Sequence, residues 1–524
     1  MTALAVATIA AAAAGAALAG IRWLRVAQRE HYLAGSLLRF TRRWWARNPV
    51  HGALATCAIG SAVAEGFVTG MGILGAVIVA VGPVGLGLRG RTGRLRWTRR
   101  LLAIAVIAAG EYGAATGAAA AVGGLRCAAT VLVAAAVCAP VIVEIALAID
   151  RPLEWVVARR YVKRAAGKLR RIHPLVVGIT GSYGKTSTKN YVAHLLSGTY
   201  SVVASPRSFN NRAGLARAVN ETLVTGTEVF VAEMGAYGPG EIGALVSWLA
   251  PRVAAITAIG PVHLERFRSL DRTLAAKSEI VATGGTAVLN VDDERLAGLA
   301  SDLVAAGRHV IRCSAEDDSC DVALILAGRD AQLFVAGARA GALTLESRHP
   351  VALTNVACAV GIAYALEVPV AEIAARLRSL PVVEHRLEVG TSPTGVVVLD
   401  DTFNANPAGA RLALAALETN APGAVRKVVV TPGMVELGVS QRVENETFAE
   451  ELARVATDLV VVGTTNRRAL LAGAGRAGSS ADTGAAPLRV ITVGSRAAAV
   501  AWVRQELHPG DVVLYENDLP DQYP

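Results

Sequence analysis

Gly178-Ile179-Thr180-Gly181-Ser182-Tyr183-Gly184-Lys185-Thr186-Ser187-Thr188-Lys189 is the stretch whose reading decides the fold. The apolar run Leu175-Val176-Val177 before it predicts a buried strand, and residues 190–196 after it predict a helix. A glycine-rich turn between a strand and a helix presents backbone N–H groups at a positive helix end, where a phosphate chain can sit. Thr180, Gly181, Ser182, Gly184 and Ser187 would form that cradle, Lys185 would reach the terminal phosphates, and the Thr186 hydroxyl would reach Mg²⁺. The spacing differs from the usual P-loop by one position, because the first glycine of G-x-x-x-x-G-K-[ST] would fall at 179, which is Ile. Thr-Gly-x-x-Gly-Lys-Thr stands there instead, with strand and helix on either side as nucleotide binding requires.

Outward from this turn, the 524 residues are too many for one ordinary domain. Charge divides them unevenly. Residues 1–172 carry 22 Lys/Arg against 6 Asp/Glu, a net of +16, and the remaining 30 and 36 give −6, which together make the overall +10. The basic excess therefore belongs to the first third, and a nucleic-acid partner for the nucleotide-binding part is a poor explanation of it.

That first third contains apolar runs near the ~20 residues a bilayer core requires, at about 3–21, 52–69, 71–88, 101–122 and 127–148. The second and third are short and joined only by Gly70, so a re-entrant hairpin is an alternative to two spans. Basic residues cluster at 22–47, 89–100 and 151–171, while the linkers at Gly70 and 123–126 hold only Arg126. The positive-inside rule then makes the basic loops cytoplasmic, with five spans, an outside N-terminus and catalytic domains facing the cytoplasm. Trp23, Trp44, Trp45, Trp97 and Trp155 fall at the expected interfaces, and Gly66-x-x-x-Gly70 and Gly113-x-x-x-Gly117 have the spacing of close helix packing. Glu65, Glu111 and Glu144 lie inside the apolar runs and receive no role from the sequence. Residues 151–172 alternate bases with Leu153, Trp155, Val156, Tyr161, Val162 and Leu169, the pattern of a juxtamembrane amphipathic helix on anionic lipid.

From 173 onward, apolar strand-like runs alternate with helical patterns, which predicts a mainly parallel α/β architecture. Strands are expected at 229–232, 253–259 and 287–290, then at 396–400, 427–431, 459–462, 489–492 and 512–515, giving two domains at 173–386 and 387–524. The six cysteines show neither C-x-x-C pairs nor His partners at metal spacing, so reduced structural thiols are expected. Charged residues at strand ends are where such sheets place chemistry. Glu233 follows the strand at 229–232 and His263 lies just past 253–259, and an acid and an imidazole beside a P-loop can hold Mg²⁺. Taken alone, Lys277 would be an exposed helix lysine.

The order of motifs over 175–515 resembles the Mur ligase family, ATP-dependent amide-forming enzymes of peptidoglycan synthesis, and most closely its D-alanyl-D-alanine-adding branch. The matching segments are Thr-Gly-Ser-Tyr-Gly-Lys-Thr (180–186), Ser-Phe-Asn-Asn (208–211), Ala-Glu-Met-Gly (232–235), Ile-Gly-Pro-Val-His-Leu-Glu-Arg-Phe (259–267) and Ala-Lys-Ser-Glu-Ile (276–280). Leu-Asn-Val-Asp-Asp (289–293), His-Pro-Val-Ala-Leu-Thr-Asn (349–355), His-Arg-Leu-Glu (385–388), Asp-Asp-Thr-Phe-Asn-Ala-Asn-Pro (400–407) and Gly-Met-Val-Glu-Leu-Gly (433–438) follow in order. The resemblance implies a P-loop central domain and a Rossmann-like C-terminal domain that close around ATP, hinged near Arg386. It implies Lys185 on the phosphates, Thr186 and Glu233 on one Mg²⁺, His263 on a second, and Lys277 as a carbamylated lysine serving as a metal ligand. It further implies Asn290, Asn355, Arg386 and Asp401 on the nucleotide, and Asn210, Asn211, Asn404 and Asn406 on substrate.

Activation of a carboxylate as an acyl phosphate, then capture by an amine, is the implied reaction. Two departures bear on the substrates. Only the basic segment separates the last apolar run from the P-loop strand, so no domain for a UDP-sugar stands there and a lipid-linked carboxylate becomes an alternative to a small-molecule one. Leu514-Tyr515-Glu516-Asn517-Asp518 replaces the family's Lys-Gly-Ser ending, which predicts a different amino-acid or peptide amine as acceptor. An amide ligase of another polymer, such as poly-γ-glutamate, and a P-loop ATPase driving transport are the other readings.

Overall fold

The computed structural model describes the chain except residues 1, 31, 34, 48, 83–85, 87–94, 207–208, 283, 329, 345–351, 382–386, 403–405, 421–422, 425, 480–487 and 519–524. The chain divides between Arg159 and Arg160 into two compact units.

The first unit is helical: α1 (Thr2–Arg29), α2 (Ser36–Arg47), α3 (Pro49–Glu65), α4 (Gly72–Val81), α5 (Arg99–Val137) and the start of α6 (Ala139–Ile172). Among the described residues, two helices, α1 and α5, are long and apolar enough to cross a membrane. The expectation of five spans is not met in that form. With 10 residues, α4 rises about 15 Å, half of a ~30 Å hydrocarbon core. Glu65 explains why α3 and α4 form a tight hairpin: its Oε2 accepts from the N–H groups of Gly70 (2.7 Å) and Gly72 (2.8 Å), satisfying donors that the start of α4 cannot pair internally. Glu144 does the same for α2, accepting from the N–H groups of Gly35 and Leu37. Two of the three carboxylates in the apolar runs are therefore helix caps.

Several finer expectations change with the fold. Gly66 and Gly70 sit in the α3–α4 turn, where Gly70 has φ +102 and lies close against Leu4 of α1, whereas a Cβ at Gly113 or Gly117 would meet nothing within 4 Å. Trp23 is buried edge-to-face on Phe40 instead of lying at an interface. α5 breaks at Gly124 (φ 70, ψ −166), inside the expected linker. α6 runs on through Pro152 to Ile172, and its Val162, Ala165 and Leu169 are buried in the second unit's core with Leu215 and Val219. The amphipathic helix thus spends its distal apolar face on protein, leaving Leu153, Trp155 and Val156 exposed.

In the second unit the chain continues as β1 (Leu175–Thr180), α7 (Lys185–Leu196), β2 (Val202–Ala204), α8 (Arg212–Thr222), β3 (Val229–Glu233), α9 (Glu241–Leu249), β4 (Val253–Ile256), α10 (Leu264–Phe267), α11 (Leu270–Ser278), β5 (Thr286–Asn290), α12 (Glu294–Ala305) and β6 (Val310–Ser314). An antiparallel meander follows, β7 (Val322–Ala327), β8 (Asp330–Val335) and β9 (Ala338–Thr344), then α13 (Leu353–Ala365) and α14 (Val370–Leu377). These strands form one sheet in the order β2-β3-β1-β4-β5-β6-β7-β8-β9, parallel from β2 to β7. A second sheet, β10-β11-β15-β12-β13-β14, is built from β10 (Glu388–Thr391), β11 (Val397–Asp401), α15 (Pro407–Thr419), β12 (Lys427–Thr431), α16 (Gln441–Leu452), β13 (Asp458–Val462), α17 (Arg467–Ser479), β14 (Arg489–Val493), α18 (Arg496–Glu506) and β15 (Val512–Glu516).

Strands buried on both faces read as continuous apolar runs, and the first sheet is covered on both sides. Val177, Ile179 and Val231 face α7 and α13, while Val176, Phe230 and Ala232 face α8, α9 and the end of α6. β1 lies centrally between β3 and β4, so the loops after these three strands share one edge.

Candidate active site

The turn after β1 is shaped by close approach. Gly184 has φ +83, and a Cβ there would fall 2.1 Å from Asn355 Oδ1; one at Gly181 would fall 2.0 Å from Thr257 Oγ1. Only glycine meets both demands at 184. Asn355, from the first turn of α13, thereby stands against the P-loop, and its backbone oxygen accepts from Thr188 Oγ1 at 3.4 Å. Ser182 stitches the loop after β4 to the turn: its Oγ accepts from Gly260 N (2.9 Å) and its N–H donates to Ala258 O (2.8 Å). Thr180 is fully buried, and its Oγ1 has no hydrogen-bond partner among the described residues.

Two ammonium groups converge on one carbonyl. Lys185 Nζ donates to Gly181 O at 2.8 Å, and Lys277 Nζ, arriving from α11, donates to the same oxygen at 3.0 Å. Lys277 is 4% exposed, and burial, then the nearby Lys185 charge, hold its pKa well below the ordinary lysine value. The default of an exposed helix lysine does not describe it.

Glu233 ends β3 beside this pair and is 1% exposed. It accepts from Thr186 Oγ1 at 2.9 Å and Asn210 Nδ2 at 3.2 Å, and forms a buried ion pair with Lys189 Nζ at 3.3 Å. A carboxylate and a hydroxyl side by side are the few hard oxygen donors that Mg²⁺ takes from protein when phosphates and water complete its shell. These residues therefore fit one magnesium ion. Lys189 already balances the carboxylate, and nothing in the sequence singled it out beyond its place four residues after Lys185.

His263 lies on the loop stitched to the P-loop, but its Nδ1 is engaged by the Glu436 carboxylate from the loop after β12. Its ring packs edge-to-face on Tyr237 at 5.1 Å, and Arg266 lies over Tyr237 at 4.5 Å. Both His263 (φ 57) and Glu436 (φ 65) hold left-handed backbone. His263 could still ligate a metal through Nε2 while Nδ1 keeps its Glu436 partner, a contact that joins the two sheets of the unit.

The remaining expected site residues separate into groups. Asn290 gives its amide to structure: Nδ2 donates to Thr257 O (3.0 Å) and Oδ1 accepts from Asp292 N (3.2 Å). Asn211 and Asn406 are N-caps of α8 and α15, accepting from Gly214 N (2.9 Å) and Gly409 N (3.0 Å). Asp401 closes β11, accepts from Leu387 N at 3.2 Å and is in register with Glu516. Ser187 lies half-buried in the first turn of α7. Arg386 and Asn404 lie outside the described residues.

Comparison with known proteins agrees with this geometry. Residues 179–361 match the Mur ligase middle domain and 385–515 the Mur ligase glutamate ligase domain. The UDP-N-acetylmuramoyl-tripeptide--D-alanyl-D-alanine ligase of Mycobacterium leprae is 34% identical over 373 residues, covering 65% of this chain and 70% of that relative. Among solved structures, MurF of Acinetobacter baumannii aligns with a TM-score of 0.58 at 25% identity over 69% of this chain and 77% of its own. The MurF ligase of Thermotoga maritima in complex with ADP aligns equally well, at 26% identity over 69% and 80%.

Proposed function

The chain belongs to the Mur ligase family, and from that premise we propose that it is a membrane-anchored, ADP-forming ligase joining an amine to a carboxylate in cell-wall precursor synthesis. The observation that carries this reading is the convergence of Lys185, Lys277, Thr186 and Glu233, from three separate stretches of chain, on one glycine turn. ATP would supply the phosphoryl group that makes the carboxylate an acyl phosphate, from which the amine displaces phosphate. Lys185 would hold phosphate oxygens at the α7 N-terminus, where charge develops during transfer. Thr186 and Glu233 would hold one Mg²⁺, kept in place by Asn210 and Lys189. Burial disfavours the charged form of Lys277; as the free amine it would add CO₂ with loss of a proton and become a carbamate, placing a negative charge beside Lys185.

Membrane anchoring rests on α1 and α5 and on the distribution of apolar surface. Among the described residues, 25 of the 34 exposed large hydrophobic ones fall in the first 159 positions, as a lipid-facing surface requires. By the positive-inside rule the basic loops would put the catalytic unit on the cytoplasmic side. Continuity of the chain, with α6 ending at Ile172 and β1 beginning at Leu175, supports a lipid-linked donor as the alternative to a small-molecule one. The acids Glu516 and Asp518 at the end of β15 favour an acceptor other than D-alanyl-D-alanine.

The test is turnover by the full-length chain in detergent with ATP, Mg²⁺ and a panel of carboxylates and amines. ADP and amide in equal amounts are expected. ADP release with no amide across a broad panel would favour the transport reading instead.

A further inference from the structure

Glu436 lies within Gly433-Met434-Val435-Glu436-Leu437-Gly438, a stretch of the second sheet's domain to which the catalytic reading gives no role. Three side-chain amides pin its loop. Asn445, fully buried, accepts from Met434 N–H at 2.8 Å and returns its Nδ2 to Met434 O at 2.9 Å. Asn466 Nδ2 donates to Pro432 O (3.1 Å) and Met434 O (2.9 Å), and Asn517 Nδ2 donates to Gly433 O (2.7 Å). Met434 and Leu437 are buried on either side, and Glu436 itself stands on left-handed backbone (φ 65). A non-glycine residue keeps that conformation where its surroundings over-determine it, and such residues cluster at functional sites.

What Glu436 meets is fixed as firmly. His263, also left-handed (φ 57), belongs to the loop that Ser182 ties to the P-loop and that Asp293 Oδ2 holds by accepting from Ile259 N at 2.7 Å. Tyr237, four residues beyond Glu233, packs edge-to-face on the imidazole. The Glu436 carboxylate engages Nδ1, and Nε2 has no polar partner among the described residues. An ionised carboxylate can only accept, so a neutral ring facing it carries its proton on Nδ1 and keeps its lone pair on Nε2. With side chains 26% and 27% exposed, the pair is open to a ligand.

We infer that Glu436 is a positioning residue for the ligase reaction: from the second sheet it fixes the tautomer and angle of His263, readying Nε2 for a divalent metal ion while the two sheets are together. The inference rests on the ligase reading, with His263 as the second metal ligand that the family resemblance implies. Metal-binding imidazoles commonly hold a carboxylate on the other ring nitrogen, and loss of that partner costs about 10- to 100-fold in metal affinity. Here the carboxylate lies 173 residues further along the chain, so metal binding and the joining of the sheets would favour each other.

The experiment uses the full-length chain in detergent, labelled with ¹⁵N-histidine. Without metal, nitrogen NMR should show His263, assigned by its loss in His263→Gln, as the Nδ1–H tautomer in the wild type. Glu436→Gln, whose amide oxygen still accepts, should keep that tautomer, and Glu436→Leu should give a mixture. With ADP and Mn²⁺, pulsed EPR should detect the ¹⁵N of a metal-bound imidazole, an isotope that separates this signal from adenine and from the Thr186–Glu233 site. The Mn²⁺ concentration that half-saturates the signal should rise about 10- to 100-fold in Glu436→Leu and less in Glu436→Gln. A purely structural contact would change stability but neither the tautomer nor the nitrogen signal. An Nε2–H tautomer in the wild type, a wild-type Mn²⁺ signal without imidazole nitrogen, or an unchanged midpoint in Glu436→Leu would overturn the inference. The two wild-type readouts decide even where Glu436→Leu misfolds. None of them is turnover, so the ligase reading stands or falls separately, on ADP and amide.

Discussion

Lys189→Met is the substitution that most directly probes how the Glu233 carboxylate, proposed to hold Mg²⁺, is kept in place. Methionine keeps the length and apolar stem of lysine, so the change removes one charge while leaving the packing of α7 nearly intact. The side chains of Lys189 and Glu233 are only 3% and 2% exposed, so the variant leaves a carboxylate in the core with two neutral donors, Thr186 and Asn210. Breaking a buried pair on one side costs about 3–5 kcal/mol. At 1.4 kcal/mol per decade, amides of α7 and β3 that open together should exchange roughly 10²- to 10³-fold faster by hydrogen–deuterium exchange. Mg²⁺ should restore much of the loss, because a cation that binds the folded carboxylate stabilises it by mass action. The double variant Lys189→Met/Glu233→Gln, which removes both charges, should exchange more slowly than the single one. Unchanged exchange in Lys189→Met, or a loss that Mg²⁺ leaves untouched, would refute the assignment of Glu233 as a metal ligand supported by Lys189.

Other perturbations separate the remaining roles. Lys185→Met should lower ADP formation by about 10²-fold or more, with folding unchanged by circular dichroism. Lys277→Ala should abolish ligation, with partial rescue by added short carboxylic acids; undiminished activity would remove the carbamate from the account. Because burial lowers the Lys277 pKa, the unfolded state binds more protons than the folded one between that lowered value and the ordinary lysine range. Stability should therefore rise with pH across this window, and Lys277→Met should flatten the rise in thermal unfolding. Glu436→Gln should loosen the contact between the two sheets of the catalytic unit, visible as faster exchange over residues 260–267.

The parallel strands were legible because both faces are buried: the expected 427–431 is β12 itself, and 229–232 falls one residue short of β3. The antiparallel meander β7–β9 was not: β7 is the apolar run Val322–Ala327, but β8 and β9 mix polar and small residues, and the turns at Gly328 and Ala336-Gly337 carry left-handed backbone. Side chains whose partners are distant in sequence were the least readable. Glu144 caps a helix more than 100 residues away, and Lys189 and Glu436 acquire meaning only from acids and imidazoles on other strands. Asn211 and Asn406 carried a second, local signal: each immediately precedes a helix, Asn406 with Pro407 at the first position, so a capping role was legible beneath the motif.

The central claim is that this pocket energises an acid for capture by nitrogen. Its most direct test is a time course of the full-length chain with ATP, Mg²⁺ and a lipid-linked carboxylate bearing ¹⁸O, quenched and read by mass spectrometry. The account predicts one amide per ADP, with one ¹⁸O carried from the carboxylate into the released phosphate. ADP accompanied by unlabelled phosphate would contradict it.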